Sequence, residues 1–164
     1  MLPPWAVVTE ERRAHIERVA ELVQGWAAAI HASPAETARW LKAVWLHDAL
    51  RDARPSSSDE LVHGPLAADR AAADGETDRG ILDAVRYHSL GYSGWDDVGK
   101  MLYLADFLEP GRKFDREIRA GLAARVPAER NAVLKEVAQR RIAWVVKSGY
   151  PLLPETVAFW NSLV

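Results

Sequence analysis

Residues 33–48 read Ser33-Pro34-Ala35-Glu36-Thr37-Ala38-Arg39-Trp40-Leu41-Lys42-Ala43-Val44-Trp45-Leu46-His47-Asp48, and this stretch decides the fold. Ser33 is placed as an N-cap, Pro34 takes the first helical position and Glu36 the third, which together make a capping box. Trp40, Leu41, Val44 and Trp45 follow at helical steps, so an amphipathic helix is predicted that closes on His47-Asp48.

The same pattern extends in both directions. Upstream, Ile16, Val19, Val23, Trp26, Ala27 and Ile30 recur at steps of three or four and predict a first helix over about residues 10–31. Downstream, Arg54-Pro55-Ser56-Ser57-Ser58 reads as a loop. His63-Gly64-Pro65 then opens an alanine-rich helix that ends near Asp74-Gly75, where glycine can take the left-handed cap conformation. Thr77 or Asp78 caps a helix carrying Ile81, Leu82, Val85 and His88. After a turn at Gly91 to Gly94, Asp96 or Asp97 starts another, with the stripe Val98, Met101, Leu102 and Ala105, which Glu109-Pro110-Gly111 stops. Periodic segments return at about 128–148 and 155–164, and β-branched alternation is nowhere sustained over a strand length. The reading is an all-α helical bundle, one domain over residues 1–164.

Composition narrows the function. The chain has no Cys, so disulfides, thiolate zinc sites, iron–sulfur clusters and a cysteine nucleophile are excluded, and any metal must sit on nitrogen and oxygen. With 21 Lys and Arg against 23 Asp and Glu, the net charge of −2 provides no field for a long nucleic acid, while a small charged ligand in a local pocket is allowed. The longest uncharged run, Val23 to Ala35, is 13 residues and includes Gln24, His31, Ser33 and Pro34, so no membrane span is expected. The start, Met1-Leu2-Pro3-Pro4-Trp5, lacks a secretory signal, which predicts a cytoplasmic chain.

The chemistry rests on histidine and aspartate. His47-Asp48 pairs an imidazole nitrogen with a carboxylate oxygen, a combination suited to a divalent first-row metal. His15, His47, His63 and His88 follow one another at separations of 32, 16 and 25 residues, each from a different element. His88 shares the inward face of Ile81 and Val85, and Asp106 lies four residues after Leu102 in a stripe expected to be buried. An unpaired buried carboxylate costs several kcal/mol, so Asp106 calls for a partner or a metal. His31, at the end of the first helix, is expected to stand apart, where an imidazolium would complement the helix dipole.

Arg12-Arg13-Ala14-His15, Leu46-His47-Asp48, His63-Gly64-Pro65, Arg86-Tyr87-His88-Ser89 and the block from Lys100 to Arg112, with Leu104-Ala105-Asp106 at its centre, follow in an order similar to that of the HD-domain metal-dependent phosphohydrolases. Within that group the chain resembles most the YqeK family, the symmetrical diadenosine tetraphosphate hydrolases of bacteria. Pro154-Glu155-Thr156-Val157 and Asn161 extend the likeness to the end, so it covers about residues 10–164.

The resemblance implies an all-α HD-domain helical bundle and two divalent metal ions. Iron is the first choice, with manganese, zinc, nickel or magnesium as alternatives. The implied ligands are His15, His47, Asp48, His63, His88 and Asp106, with Asp48 bridging both metals. A metal-activated water would cleave a dinucleoside polyphosphate, diadenosine tetraphosphate giving two ADP, and no side-chain nucleophile is required. Arg51, Lys100 and Arg112 are the candidate cations for the substrate phosphates, with Tyr103 beside them. Asp52 is a candidate for positioning water or protonating a leaving group. Two departures from the family matter. Arg51 stands where lysine is usual, which exchanges a point donor for a planar fork. Residues 49–62 leave no room for an additional helix over the site, which opens the alternative of an HD nucleotidase or cyclic-nucleotide phosphodiesterase. Ser89 stands where threonine is commoner and keeps the hydroxyl. A further alternative is a non-catalytic metal-binding HD signalling domain that meets partners through its tryptophans. A homodimer is the other partner considered.

Overall fold

The computed structural model describes residues 1–53 and 60–164, so the loop expected at Arg54 to Ser58 lies outside the described residues. Among the described residues the elements are seven helices in the order α1 (Glu10–Ala29), α2 (Pro34–His47), α3 (His63–Ala73), α4 (Arg79–Tyr87), α5 (Asp97–Leu108), α6 (Arg116–Lys147) and α7 (Pro154–Leu163), with no strand. The chain is all-α, as its periodicity predicts.

Local signals set most of the boundaries. The Ser33 side chain accepts from the Glu36 N–H, and Pro34 opens α2, which ends at His47 with Asp48 as its C-cap. Asp78 caps α4 and Asp96 caps α5, each side chain accepting from a first-turn N–H. Asp74 ends α3, and Gly75 follows at φ 98°.

α5 is the centre of the bundle and packs against α1, α2, α4 and α6. It is buried on nearly every side, through Val98, Met101, Leu102, Tyr103, Leu104, Ala105 and Leu108, as expected of a helix that is apolar all round. Ile16, Val19 and Val23 of α1, Val44 of α2 and Val85 of α4 close around it. Trp95, Tyr103 and Phe159 meet at tilted and edge-to-face angles and dock α7. The tryptophans serve mainly this interior: Trp26, Trp40 and Trp95 are buried, Trp5, Trp45 and Trp160 are half-buried, and Trp144 is exposed.

α6 differs from expectation. It starts at Arg116 and runs through Pro127, whereas the sequence pattern places a helix only from about 128. Its first half turns a buried cation, Arg119, inward beside Leu122 and Val126, which breaks the apolar stripe. The missing proline N–H is absorbed by a kink, seen at Glu129 with φ −132° and ψ 35°.

No helix among the described residues is long and apolar enough to cross a membrane.

Candidate metal centre

Four helices and two helix ends deliver six polar side chains to one buried place. His15 comes from the second turn of α1, His47 from the last residue of α2 and Asp48 from its C-cap. His63 opens α3, His88 caps the C-terminus of α4, and Asp106 lies in the last turn of α5. All six are buried.

Asp48 stands between two groups. Its Oδ2 lies 3.7 Å from both His15 Nε2 and His47 Nε2. Its Oδ1 lies 3.0 Å from His63 Nε2 and 3.5 Å from His88 Nε2. Asp106 Oδ1 joins the first group, 3.1 Å from His15 Nε2 and 4.0 Å from His47 Nε2. His31 is elsewhere, exposed beyond α1 at φ 55°.

The glycine after His63 makes this meeting possible. A Cβ at Gly64 would lie 2.9 Å from the Val85 carbonyl oxygen and 3.3 Å from His88 Cε1, so only a hydrogen lets α3 approach α4 this closely. Gly64→Ala is expected to cost about 1–3 kcal/mol by forcing the two helices apart, measured by thermal unfolding.

The electrostatics keep the carboxylates ionised. Burial would raise Asp48, but His47, His63 and His88 hold it well below the usual carboxylate range. Burial would likewise raise Asp106, and His15 with the Arg112 guanidinium holds it well below that range. Burial disfavours the His15 imidazolium, yet the carboxylates of Asp106, Glu109 and Asp48 raise it to about 9. Burial drives His47 the other way, to about 4, against the pull of Asp48.

The donor set fits divalent metal ions. His15 Nε2 and His47 Nε2 are buried without a hydrogen-bond partner, although both face carboxylate oxygens. Buried polar nitrogens are normally satisfied, and these two are aimed at the space between Asp48 and Asp106. His15, His47 and Asp48 form one group whose ligand atoms all lie within 4.8 Å of one another, and Asp48, His63 and His88 form a second. Imidazole nitrogen with carboxylate oxygen suits a first-row divalent ion.

Arginines surround the cluster, and one of them, Arg141, carried no signal in the sequence. Arg12 Nη1 donates to Asp48 Oδ2 at 2.8 Å. Arg112 Nη2 donates to Asp106 Oδ1 at 2.8 Å and to the Asp106 carbonyl. Arg141 lies 4.4 Å above the Tyr103 ring with Nη1 3.7 Å from Asp106 Oδ2. These side chains are 25%, 35% and 20% exposed, so each guanidinium touches a cluster carboxylate and also reaches solvent. Arg12, one turn before His15, reaches Asp48 across 36 residues, and Arg141 is brought to Asp106 by the inward turn of α6.

The remaining sequence candidates sit differently. Arg51 pairs with Glu60 at 3.3 Å. Asp52 accepts from the backbone and hydroxyl of Thr9, at 2.9 and 3.1 Å, and thereby fastens the start of α1. Tyr103 is buried among Trp95 and Phe159 and reaches the site only as the platform under Arg141. Lys100, half-buried on α5, makes no hydrogen bond or ion pair with the six among the described residues.

The fold is shared with a solved structure described as an HD superfamily hydrolase. The chain superposes with a TM-score of 0.80 on a structure from Clostridium acetobutylicum described as a predicted HD superfamily hydrolase involved in NAD metabolism, covering 95% of this chain and 90% of that one at 22% identity. Among curated proteins it is similar to the symmetrical bis(5'-nucleosyl)-tetraphosphatase of Bacillus subtilis, 32% identical over 106 residues, and to that of Halalkalibacterium halodurans, 29% identical over 107 residues. Those alignments cover 64% and 65% of this chain and 56% of each relative, so the chain spans little more than half the length of the curated relatives it matches. No family model matches.

Proposed function

We propose that this chain is a metal-dependent phosphohydrolase that splits a dinucleoside tetraphosphate symmetrically into two nucleoside diphosphates. The observation that carries the reading is Asp48, whose two carboxylate oxygens face two separate histidine pairs. One divalent ion would be held by His15, His47, Asp48 and Asp106, and a second by Asp48, His63 and His88. The relatives named as symmetrical tetraphosphatases support the substrate class.

When bound, a metal pair supplies Lewis-acid polarisation of phosphoryl oxygens and a water that is nucleophilic near neutral pH. The chain's own residues do the rest. The four imidazoles present Nε2 inward because each Nδ1 is already engaged, three on backbone carbonyls and one on a carboxylate. Arg12, Arg112 and Arg141 hold N–H donors at the rim, where phosphate oxygens of a bound polyphosphate would take them up. Arg51 supplies charge farther out. A nucleoside diphosphate leaves as a stabilised anion, so cations suffice and no side chain need attack phosphorus.

Hydrolysis of a nucleotide panel by metal-loaded protein in oxygen-18 water tests this. The expected products from a four-phosphate dinucleotide are two nucleoside diphosphates, one of them labelled, with no phosphoenzyme. A trapped phosphohistidine on His63 or His88 would overturn the mechanism. Cleavage of nucleoside monophosphates alone would replace the substrate with that of a nucleotidase.

A further inference from the structure

The four cluster histidines are not held alike. His47, His63 and His88 each turn Nδ1 to the carbonyl three residues earlier, on Val44, Glu60 and Val85, at 2.6, 2.6 and 2.7 Å. His15 instead sets Nδ1 3.0 Å from Glu109 Oε1, across 94 residues of chain. Glu109 follows the last residue of α5 and is almost fully buried, and of the six cluster residues its carboxylate meets His15.

This carboxylate is itself locked. Its Oε2 accepts from Arg18 Nε at 2.7 Å and from the Gly111 N–H at 2.6 Å. A Cβ at residue 111 would stand 2.2 Å from Arg18 Nε, so glycine is what lets the guanidinium lie against the loop. Arg119 from α6 donates to the Glu109 carbonyl and anchors the backbone there. His15 and Arg18 of α1 and the Gly111 loop thus converge on a single acid, which Arg112 Nε of the rim also approaches to 3.7 Å.

We infer that Glu109 is a positioning residue: it fixes His15 with Nε2 toward Asp48 and Asp106 and makes the His15 half of the centre hold its metal more tightly than the His63 half. The inference rests on the two-metal reading above. A carboxylate acceptor orients an imidazole ligand and strengthens it as a donor, and loss of such a partner weakens metal binding by about 10–100-fold. The His63 half has only backbone carbonyls behind its histidines and shares Asp48 as its one carboxylate, so it serves as the internal control.

The test is Mn(II) binding, followed by electron paramagnetic resonance of free Mn(II), on wild type, Glu109→Gln and Arg18→Met. Wild type is expected to take up two ions per chain with unequal affinity. Glu109→Gln should weaken the tighter site by about 10–100-fold and leave the other within error. Arg18→Met, a change at a partly exposed residue that leaves the acid in place, should weaken the same site several-fold. His63→Ala should give the opposite pattern and spare the tighter site. Two unchanged sites in both Glu109→Gln and Arg18→Met, or equal weakening of both sites, would overturn the inference while leaving the two-metal reading intact. A wild-type chain that binds no Mn(II) would overturn both. If Glu109→Gln does not fold, the Arg18→Met result alone decides between these outcomes.

Discussion

Asp48→Ala is expected to empty both metal positions together and to lower turnover at least about a thousand-fold, because Lewis-acid charge stabilisation is worth several kcal/mol and each 1.4 kcal/mol is about tenfold in rate. The reason is its place in the cluster: Oδ2 faces His15 and His47 while Oδ1 faces His63 and His88, so one substitution removes a ligand from each half. It also leaves Arg12 without its carboxylate and brings that cation toward the vacated position, which opposes metal entry further. Metal content of the purified protein, measured by mass spectrometry beside hydrolysis of a dinucleoside tetraphosphate, checks the result. Retention of one ion per chain would show that the carboxylate serves a single half. His31→Asn, outside the cluster and at a backbone position that asparagine tolerates, is the matched control and should change neither quantity.

Arg119→Ala is expected to destabilise the chain by more than about 3 kcal/mol, a fall in Tm of about 6–12 °C for a domain of this size. Its guanidinium donates to the carbonyls of Phe107, Glu109, Arg112 and Phe114, and it lies 4.9 Å from the Phe114 ring. These carbonyls belong to the end of α5 and the loop after it, where helix geometry leaves oxygens without partners. Hydrogen bonds from a charged donor are worth about 1.5–3 kcal/mol each, and truncation leaves one buried and three part-buried acceptors without this donor at once. Arg119→Lys should recover little, since a point charge cannot serve four carbonyls spread around a planar fork. Urea or thermal unfolding of the three proteins measures it. Full rescue by lysine would mean that charge, rather than the fork, is what the loop requires.

The Asp48 expectation depends on contacts far apart in the chain, and the Arg119 expectation on a loop whose path no helical period describes. The caps were legible because each is local: Ser33 with Glu36, Asp78 with Ile81 and Asp96 with Val98 lie within three residues. The convergence of His15, His47, Asp48, His63, His88 and Asp106 is what the family resemblance implies, and for His88 and Asp106 the apolar helix face itself points the side chain inward. The first half of α6 could not, because a buried arginine and a proline both read as breaks in a helix stripe. Arg141 looks like an ordinary surface charge in sequence, while Arg12 and Glu109 fall inside motif blocks that do not say which carboxylate or imidazole each one meets.

What the sequence determined by itself is therefore the helices other than the first half of α6, and the inward faces of His88 and Asp106, since helical period and capping act over a few residues and burial follows from which face is apolar. Only the tertiary structure decided which charges serve that cluster. Glu109 reaches His15 across 94 residues, and Arg12 reaches Asp48 across 36. A long charged side chain carries no periodic signature, and its partner is set by how the helices cross and by where α5 stops.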